Sequence, residues 1–246
     1  MEFNWKRPLL NVILFFCIFY SSMFFSWAVL SNLNFGYSFL YEQINIEETI
    51  KKFSVRNEDK AKRGFYNTDK DQHVEIFREI NEAVNNAGMG LDKITFYDQG
   101  RKETVSFLTT DETLHLFDVA GLVFVFEFSS YMFMVIGLFA IIFMANQRVR
   151  MYSLKLVFPV SIVLIGVLTG IVMLIGPRDI FYTLHKIVFT EHQWFFYYEE
   201  SLMAILMKAP VIFGYISVFL VILTILFYIG IAAFIRALFK LNKGLQ

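Results

Sequence analysis

The sequence predicts an α-helical polytopic membrane protein with four transmembrane helices, both termini cytoplasmic, and a small α+β extracellular cap between spans 1 and 2. Three observations carry this prediction. Apolar runs long enough to cross a bilayer, about 20 residues each, recur four times along the chain. At 57% hydrophobic and 18% charged, with thirty Phe, the chain is more apolar than a soluble domain of its length requires. The short segments that connect or follow those runs are basic on one side of the membrane and acidic on the other. The formal net charge is zero, which gives no electrostatic footing for nucleic acid. The single cysteine, Cys17, lies inside an apolar run. That excludes an internal disulfide, a Cys-x-x-Cys redox centre and a cysteine-based zinc site.

Residues 1–30 form a cytoplasmic N-terminus and span 1. Lys6 and Arg7 precede the run from Leu9 to Leu30. A signal peptide would share the basic start and the small pair Ser26 and Ala28, but its apolar region is only ~7–15 residues long. Residues 31–110 change to mixed charge and normal polarity and form the extracellular cap. Within it, Val74, Phe77, Ile80 and Val84 fall at three- and four-residue steps, predicting an amphipathic helix. Residues 93–97 and 103–108 flank Asp98-Gln99-Gly100-Arg101 and predict a β-hairpin. A further strand is expected near Val55 and Phe65-Tyr66, and His73, at the start of the cap helix, is expected to be a solvated surface residue.

Thr109-x-x-Glu112 is a capping-box pattern that starts a helix near Thr110. That helix continues through 111–145 as span 2. Residues 146–155 are a cytoplasmic loop and 156–176 are span 3, with Pro159 near its first turn and Pro177 at its end. Residues 177–205 are an outer interfacial helix and connection. Residues 206–246 hold span 4 and a cytoplasmic tail.

Sidedness follows from short segments, which the positive-inside rule counts. The 146–155 loop carries Arg148, Arg150 and Lys155 without an acid, and the tail carries Arg236, Lys240 and Lys243. The 177–203 connection instead has Arg178 and Lys186 against Asp179, Glu191, Glu199 and Glu200. The cap has sixteen acids between 31 and 118 against eleven bases, so it offers no basic patch to anionic headgroups. Both the cap and the 177–205 connection are therefore expected outside.

Glu112, His115 and Asp118 sit three residues apart, on roughly one helix face at the mouth of span 2. The helix N-terminus disfavours positive charge on His115, which suits a general base. Asp118 is placed to orient the ring and Glu112 to serve the cap. On chemistry alone, His115 is equally an interfacial polar residue satisfied by Asp118. Across the 178–200 segment, Phe181, Leu184, His185, Val188, His192 and Phe196 fall at helical steps. His185 and His192 would stand ~10 Å apart on a straight helix, too far to share a metal easily. Trp194, Tyr197 and Tyr198 suit either a pocket or an interfacial belt.

Glu112-x-x-His115 is half of a di-metal carboxylate signature, but the second copy is missing. No Gly-x-Ser-x-Gly turn marks a serine hydrolase. Glu127, inside span 2, leaves open a non-catalytic or transport protein in which it is the functional group.

Glu112-x-x-His115-x-x-Asp118-Val119-x-x-Leu122 resembles the signature of the bacterial lipoprotein intramolecular transacylase (Lit) family. A second block, Phe181-x-x-x-His185-x-x-x-Phe189 followed by Trp194, and then Pro210, is similar to the family's later motif. The likeness covers the whole topology. It departs after Trp194, where Phe195-Phe196-Tyr197-Tyr198-Glu199-Glu200 replaces a more polar, proline-containing stretch. The resemblance implies an enzyme of the bacterial cell membrane, multi-pass, with its active site at the outer-leaflet face. Its substrates would be diacylglyceryl-modified lipoproteins within the lipid bilayer. An acyl chain would move from the sn-2 glyceryl ester to the α-amino group of the lipoprotein's N-terminal Cys, with no cofactor and no metal. His115 and His185 would be the acid/base pair, supported by Asp118, Glu112 and Arg178. Phe181, Tyr182 and Trp194 would line the substrate pocket.

Overall fold

Residues 5–190 and 194–244 are described by the structure, a computed structural model. The nine helices among them are α1 (Lys6–Asn32), α2 (Tyr37–Gln43), α3 (Ile46–Phe53), α4 (Lys70–Asn85), α5 (Thr110–Asn146), α6 (Leu154–Ile175), α7 (Pro177–Val188), α8 (Leu202–Met207) and α9 (Val211–Gly244). The strands are β1 (Thr95–Asp98) and β2 (Glu103–Ser106). Four helices, α1, α5, α6 and most of α9, are long and apolar enough to cross a membrane. At ~1.5 Å per residue, the 22 residues of α6 match one hydrocarbon layer of ~30 Å. The 37 residues of α5 are almost twice too long.

The chain divides into two compact units. The first is a helical bundle made from residues up to 29, 126–175 and from 219 onward. Its core is Leu14, Ile18, Met144, Tyr228, Ala232 and Ile235. α6 buries nothing, and Leu174 is 88% exposed. An apolar surface of that extent is the mark of a lipid-facing helix. One end of the bundle is tied around Tyr152. The Arg7 guanidinium lies 5.1 Å from its ring, Arg236 donates to its carbonyl at 2.9 Å, and its N–H donates to Asn11 at 2.6 Å.

The second unit, residues 30–125 and 176–218, holds everything else. The stripe expected over 74–84 lies within α4, whose Ile76, Phe77, Ile80 and Val84 are buried. Asp69 caps it by accepting the Gln72 N–H. Phe77 stacks on Tyr37 at 4.0 Å between ring centroids. The hairpin pairs Phe96 with Val105 and Asp98 with Glu103.

Sequence and structure differ at four places in this unit. No strand forms near Val55 or Phe65-Tyr66: Ser54–Arg56 and Lys62–Asn67 are 3₁₀ turns. From the second turn, Phe65 reaches fully buried between Phe96 and Phe107, 5.1 and 5.3 Å away.

His73 is not solvated. It is 1% exposed, bonded to Tyr41 through Nδ1 (2.8 Å) and to Thr68 through Nε2 (2.6 Å). The Thr68 hydroxyl donates to the Phe65 carbonyl, so it accepts from His73 Nε2–H, and Nδ1 accepts from Tyr41. The reason is visible in the spacing: His73 continues the 77, 80, 84 stripe one turn upstream, so the same periodicity buries it.

The amphipathic pattern over 178–200 is not one helix, because α7 stops at Val188. Trp194 instead lies 6.2 Å from Tyr182. Residues twelve apart on a straight helix would be ~18 Å apart.

Span 4 does not begin at Leu206. Leu202–Met207 is a separate six-residue helix, buried in this unit. Lys208 then turns left-handed (φ 44°), and Pro210, which has no N–H and restricts Ala209, keeps α9 from starting before Val211.

Candidate active site

His115 owes its position to the start of α5. The Thr109 hydroxyl accepts the Glu112 N–H at 3.2 Å and the Glu112 carboxylate accepts the Thr109 N–H, a reciprocal capping box. Thr113 adds a bond to the Thr109 carbonyl at 2.8 Å. His115 follows one turn later and is 7% exposed. Its Nδ1 has no hydrogen-bond partner among the described residues. Asp118 therefore does not hold that nitrogen. Asp118 itself is half-buried.

His185 comes from the last turn of α7, which Pro177 opens at its N-terminus, where a missing N–H is harmless. Its Nδ1 lies 2.8 Å from the Phe181 carbonyl, one turn back. A carbonyl only accepts, so Nδ1 carries the proton and Nε2 keeps its lone pair in the neutral ring. Burial lowers the His185 pKa below its ordinary 6.5, opposed by that backbone bond.

The two imidazoles, seventy residues apart in sequence, have centroids 6.0 Å apart. Aromatic rings enclose them. Phe189 lies 4.6 Å from His115 and 5.2 Å from His185. Phe181 lies 4.0 Å and Trp194 5.4 Å from His185, and Phe196 lies 6.0 Å from His115. An open groove of about 640 Å³ runs beside this cluster, lined by Arg178, Tyr182, Lys186, Trp194 and Phe195 among others. Trp194 borders both the groove and His185. Arg178 is 5.6 Å from the Tyr182 ring, on the groove.

Of the residues singled out in the sequence, His115, His185, Phe181 and Trp194 thus come together. Tyr182 and Arg178 stand one contact further out. Glu112 is buried beneath α5 and bonded to other partners, described below. Glu127 belongs to the helical bundle, half-buried, with no hydrogen bond or ion pair among the described residues. His192 lies outside the described residues. Phe196 was legible only as a helix-face residue, and Phe189 only as a position of the family-like block. That both rings stand beside His115 is a tertiary arrangement, which no local spacing encodes. No group of three or more His, Cys, Asp or Glu is placed to hold a metal ion among the described residues.

The fold and the paired histidines define a polytopic membrane protein with two neighbouring imidazoles in an aromatic enclosure, one of them near the start of a long spanning helix. Solved structures of the membrane integral lipoprotein intramolecular transacylase Lit from Bacillus cereus have this fold. One matches at 16% identity and TM-score 0.67 over 97% of this chain and 98% of that one. A second, carrying a histidine-to-arginine substitution, matches at 16% and 0.67 over 98% and 95%. A third, with the histidine changed to alanine, matches at 15% and 0.62 over 97% and 94%. No curated protein matches the chain. The family model "Lipoprotein intramolecular transacylase Lit" matches residues 12–209, and the chain belongs to that family. Its function is the one that names the family, intramolecular transacylation of lipoproteins.

Proposed function

We propose that this protein is an O-to-N acyltransferase in which His115 and His185 move the protons. The substrate is a lipoprotein whose N-terminal Cys bears a diacylglyceryl group and a free α-amine. The amine attacks the sn-2 ester carbonyl and a C–N bond forms. The C–O bond to the glyceryl oxygen then breaks. The nitrogen loses a proton and the glyceryl oxygen gains one, leaving a lyso-form lipoprotein, so the reaction balances without water or cofactor. The nucleophile is supplied by the substrate, and the site needs none of its own.

The observation that carries this reading is the 6.0 Å separation of the two rings. It leaves them close enough to serve the nitrogen and the oxygen of one tetrahedral centre. The neutral, Nδ1-protonated form of His185 supports it as the base acting through Nε2. His115, 6.0 Å away, is then the group that passes the proton taken up by His185 on to the leaving oxygen, so that both rings end neutral. Phe181, Phe189 and Trp194 exclude water and hold the glyceryl and acyl chains so that proximity supplies much of the rate. Arg178, on the adjoining groove, meets the developing oxyanion or the ester carbonyl as substrate enters. Asp118 and Glu112 support the turn that carries His115.

The same reading places the chain in the bacterial cell membrane with residues 31–110 and 177–205 outside, 146–155 and the C-terminal tail inside, and the site at the outer leaflet. The basic side chains gathered about Tyr152 at one end of the bundle support this sidedness.

The test is expression of variants in a host lacking the activity, with mass spectrometry of a lipoprotein's N-terminal peptide. His115→Ala and His185→Ala should each insert into the membrane and lower lyso-form production by ~10²–10⁴. Glu127→Gln should leave it intact. Undiminished product from either histidine variant overturns the two-histidine mechanism. Loss with Glu127→Gln alone would favour a functional role for the bundle instead.

A further inference from the structure

The chemistry above gives no part to Lys62 and Ser201, which complete a buried cluster around Glu112 under the first turn of α5. The Glu112 carboxylate is fully buried, yet it accepts more bonds than a helix cap requires. One oxygen takes the Thr109 N–H and lies 3.8 Å from the Lys62 ammonium. The other takes the Ser201 hydroxyl, and the Met203 N–H at 3.4 Å. Lys62 is 4% exposed and also donates to the Phe107 carbonyl at 2.8 Å. Ser201, 1% exposed, caps α8 by accepting the Ala204 N–H at 2.8 Å. A single carboxylate therefore closes the first turns of two helices whose starts are some ninety residues apart in sequence.

Burying a carboxylate and an ammonium is expensive, and apolar residues of similar size would hold a core as well. What the arrangement provides is a directional lock. Glu112 is one turn before His115 on α5. Ser201 ends the segment that carries Trp194 and Phe196, the rings beside His185 and His115. That segment is tied down once more where the Glu58 N–H donates to the Glu199 carbonyl at 2.9 Å.

We propose that Lys62, Glu112 and Ser201 are positioning residues that lock α5 to the 194–201 segment and thereby fix the approach of His115 to His185. The proposal rests on the two-histidine reading. None of the three touches either imidazole through a hydrogen bond, so their removal leaves the acid and the base in place but misaligned.

The experiment uses the full-length protein in lipid nanodiscs with a synthetic diacylglyceryl lipopeptide. Lyso-form product is followed by mass spectrometry for Lys62→Met, Glu112→Gln, Ser201→Ala, Ser201→Thr and the double variant Lys62→Met/Glu112→Gln, beside His115→Ala and His185→Ala. Single variants that leave a buried charge unpaired risk unfolding. The double variant removes both charges together and is the one expected to keep its fold. It should keep its melting temperature and its KM while kcat falls roughly 10- to 100-fold, the scale of an ångström of misplacement. The pH at half-maximal rate should not move. Ser201→Thr, which keeps the hydroxyl, should recover activity that Ser201→Ala loses, and this pair decides the matter should the double variant not fold. A folded double variant turning over at the wild-type rate, or Ser201→Ala equal to Ser201→Thr, overturns the proposal while the histidine variants remain dead. Active histidine variants would instead overturn the reading beneath it.

Discussion

His73 makes the cap unit sensitive to acid, and the size of the effect follows from its surroundings. The ring is buried and neutral, donating to Thr68 and accepting from Tyr41. Burial pulls its pKa from 6.5 down to about 4, against the smaller opposing attraction of Asp69 and Glu47. In the unfolded chain the imidazole titrates at its ordinary value. Between these two values the unfolded chain binds a proton that the folded one refuses. The contribution is therefore fully present above pH 6.5 and is lost as pH falls toward 4. At 1.36 kcal/mol per tenfold change, the loss is about 2 kcal/mol at pH 5 and about 3 kcal/mol near pH 4.

Hydrogen exchange of α4 amides in the detergent-solubilised protein, corrected for intrinsic exchange rates, measures this directly at pH 7.5, 6 and 5. His73→Gln is the control. It loses part of the hydrogen bonding at every pH and so shifts the whole curve, but it has no imidazole to protonate. The difference between wild type and variant should have a slope between pH 6.5 and 5 and be flat above. Parallel curves for the two proteins would refute the account of a buried neutral His73.

Two further outcomes concern the site and the hairpin. Because burial holds His185 below 6.5 and a base must be unprotonated to act, the acid limb of the kcat profile should fall at a pH below 6.5. A limb centred above 7 would exclude His185 as the base. A Cβ added at Gly64 would lie 1.8 Å from the Asp98 carboxylate, whose other oxygen accepts the Gly100 N–H at 2.8 Å and the Arg101 N–H at 3.2 Å. Gly64→Ala should therefore destabilise the cap by about 2–3 kcal/mol through overpacking. An unchanged melting temperature would mean the hairpin turn yields freely.

What the sequence showed and what it hid divide along the range of the interactions. The spans, the α4 stripe and the α5 start are written in spacings of three and four residues, and these were legible. So was the reciprocal cap of Thr109 and Glu112, since both partners lie within one turn. The end of α7 at Val188 was not, because residues 178–200 carry helical spacing and the contact between Tyr182 and Trp194 is tertiary. The separation of α8 from α9 had a signal in Pro210, which sequence reading used as a family mark and not as a helix boundary. Lys62 had no local signal at all. A lysine among many in a charged cap reads as solvent-facing until the carboxylate it approaches is known.

The histidines show why residue type alone could not assign roles. His73 and His115 are both buried near the start of a helix, and each is preceded by a capping acid: Asp69 four residues before the first, Glu112 three before the second. Charge, spacing and propensity rank them alike. Hydrogen bonding separates them. Both nitrogens of His73 are satisfied within the protein, so its ring has nothing left to offer a substrate and its part is structural. The Nδ1 of His115 is buried without a partner among the described residues, beside a second imidazole whose Nε2 retains its lone pair. An unsatisfied polar atom in an apolar enclosure costs about 1–3 kcal/mol. In the proposed reaction a ring nitrogen of His115 must meet the lipoprotein's amine or glyceryl oxygen, a role for which His73 has no free nitrogen.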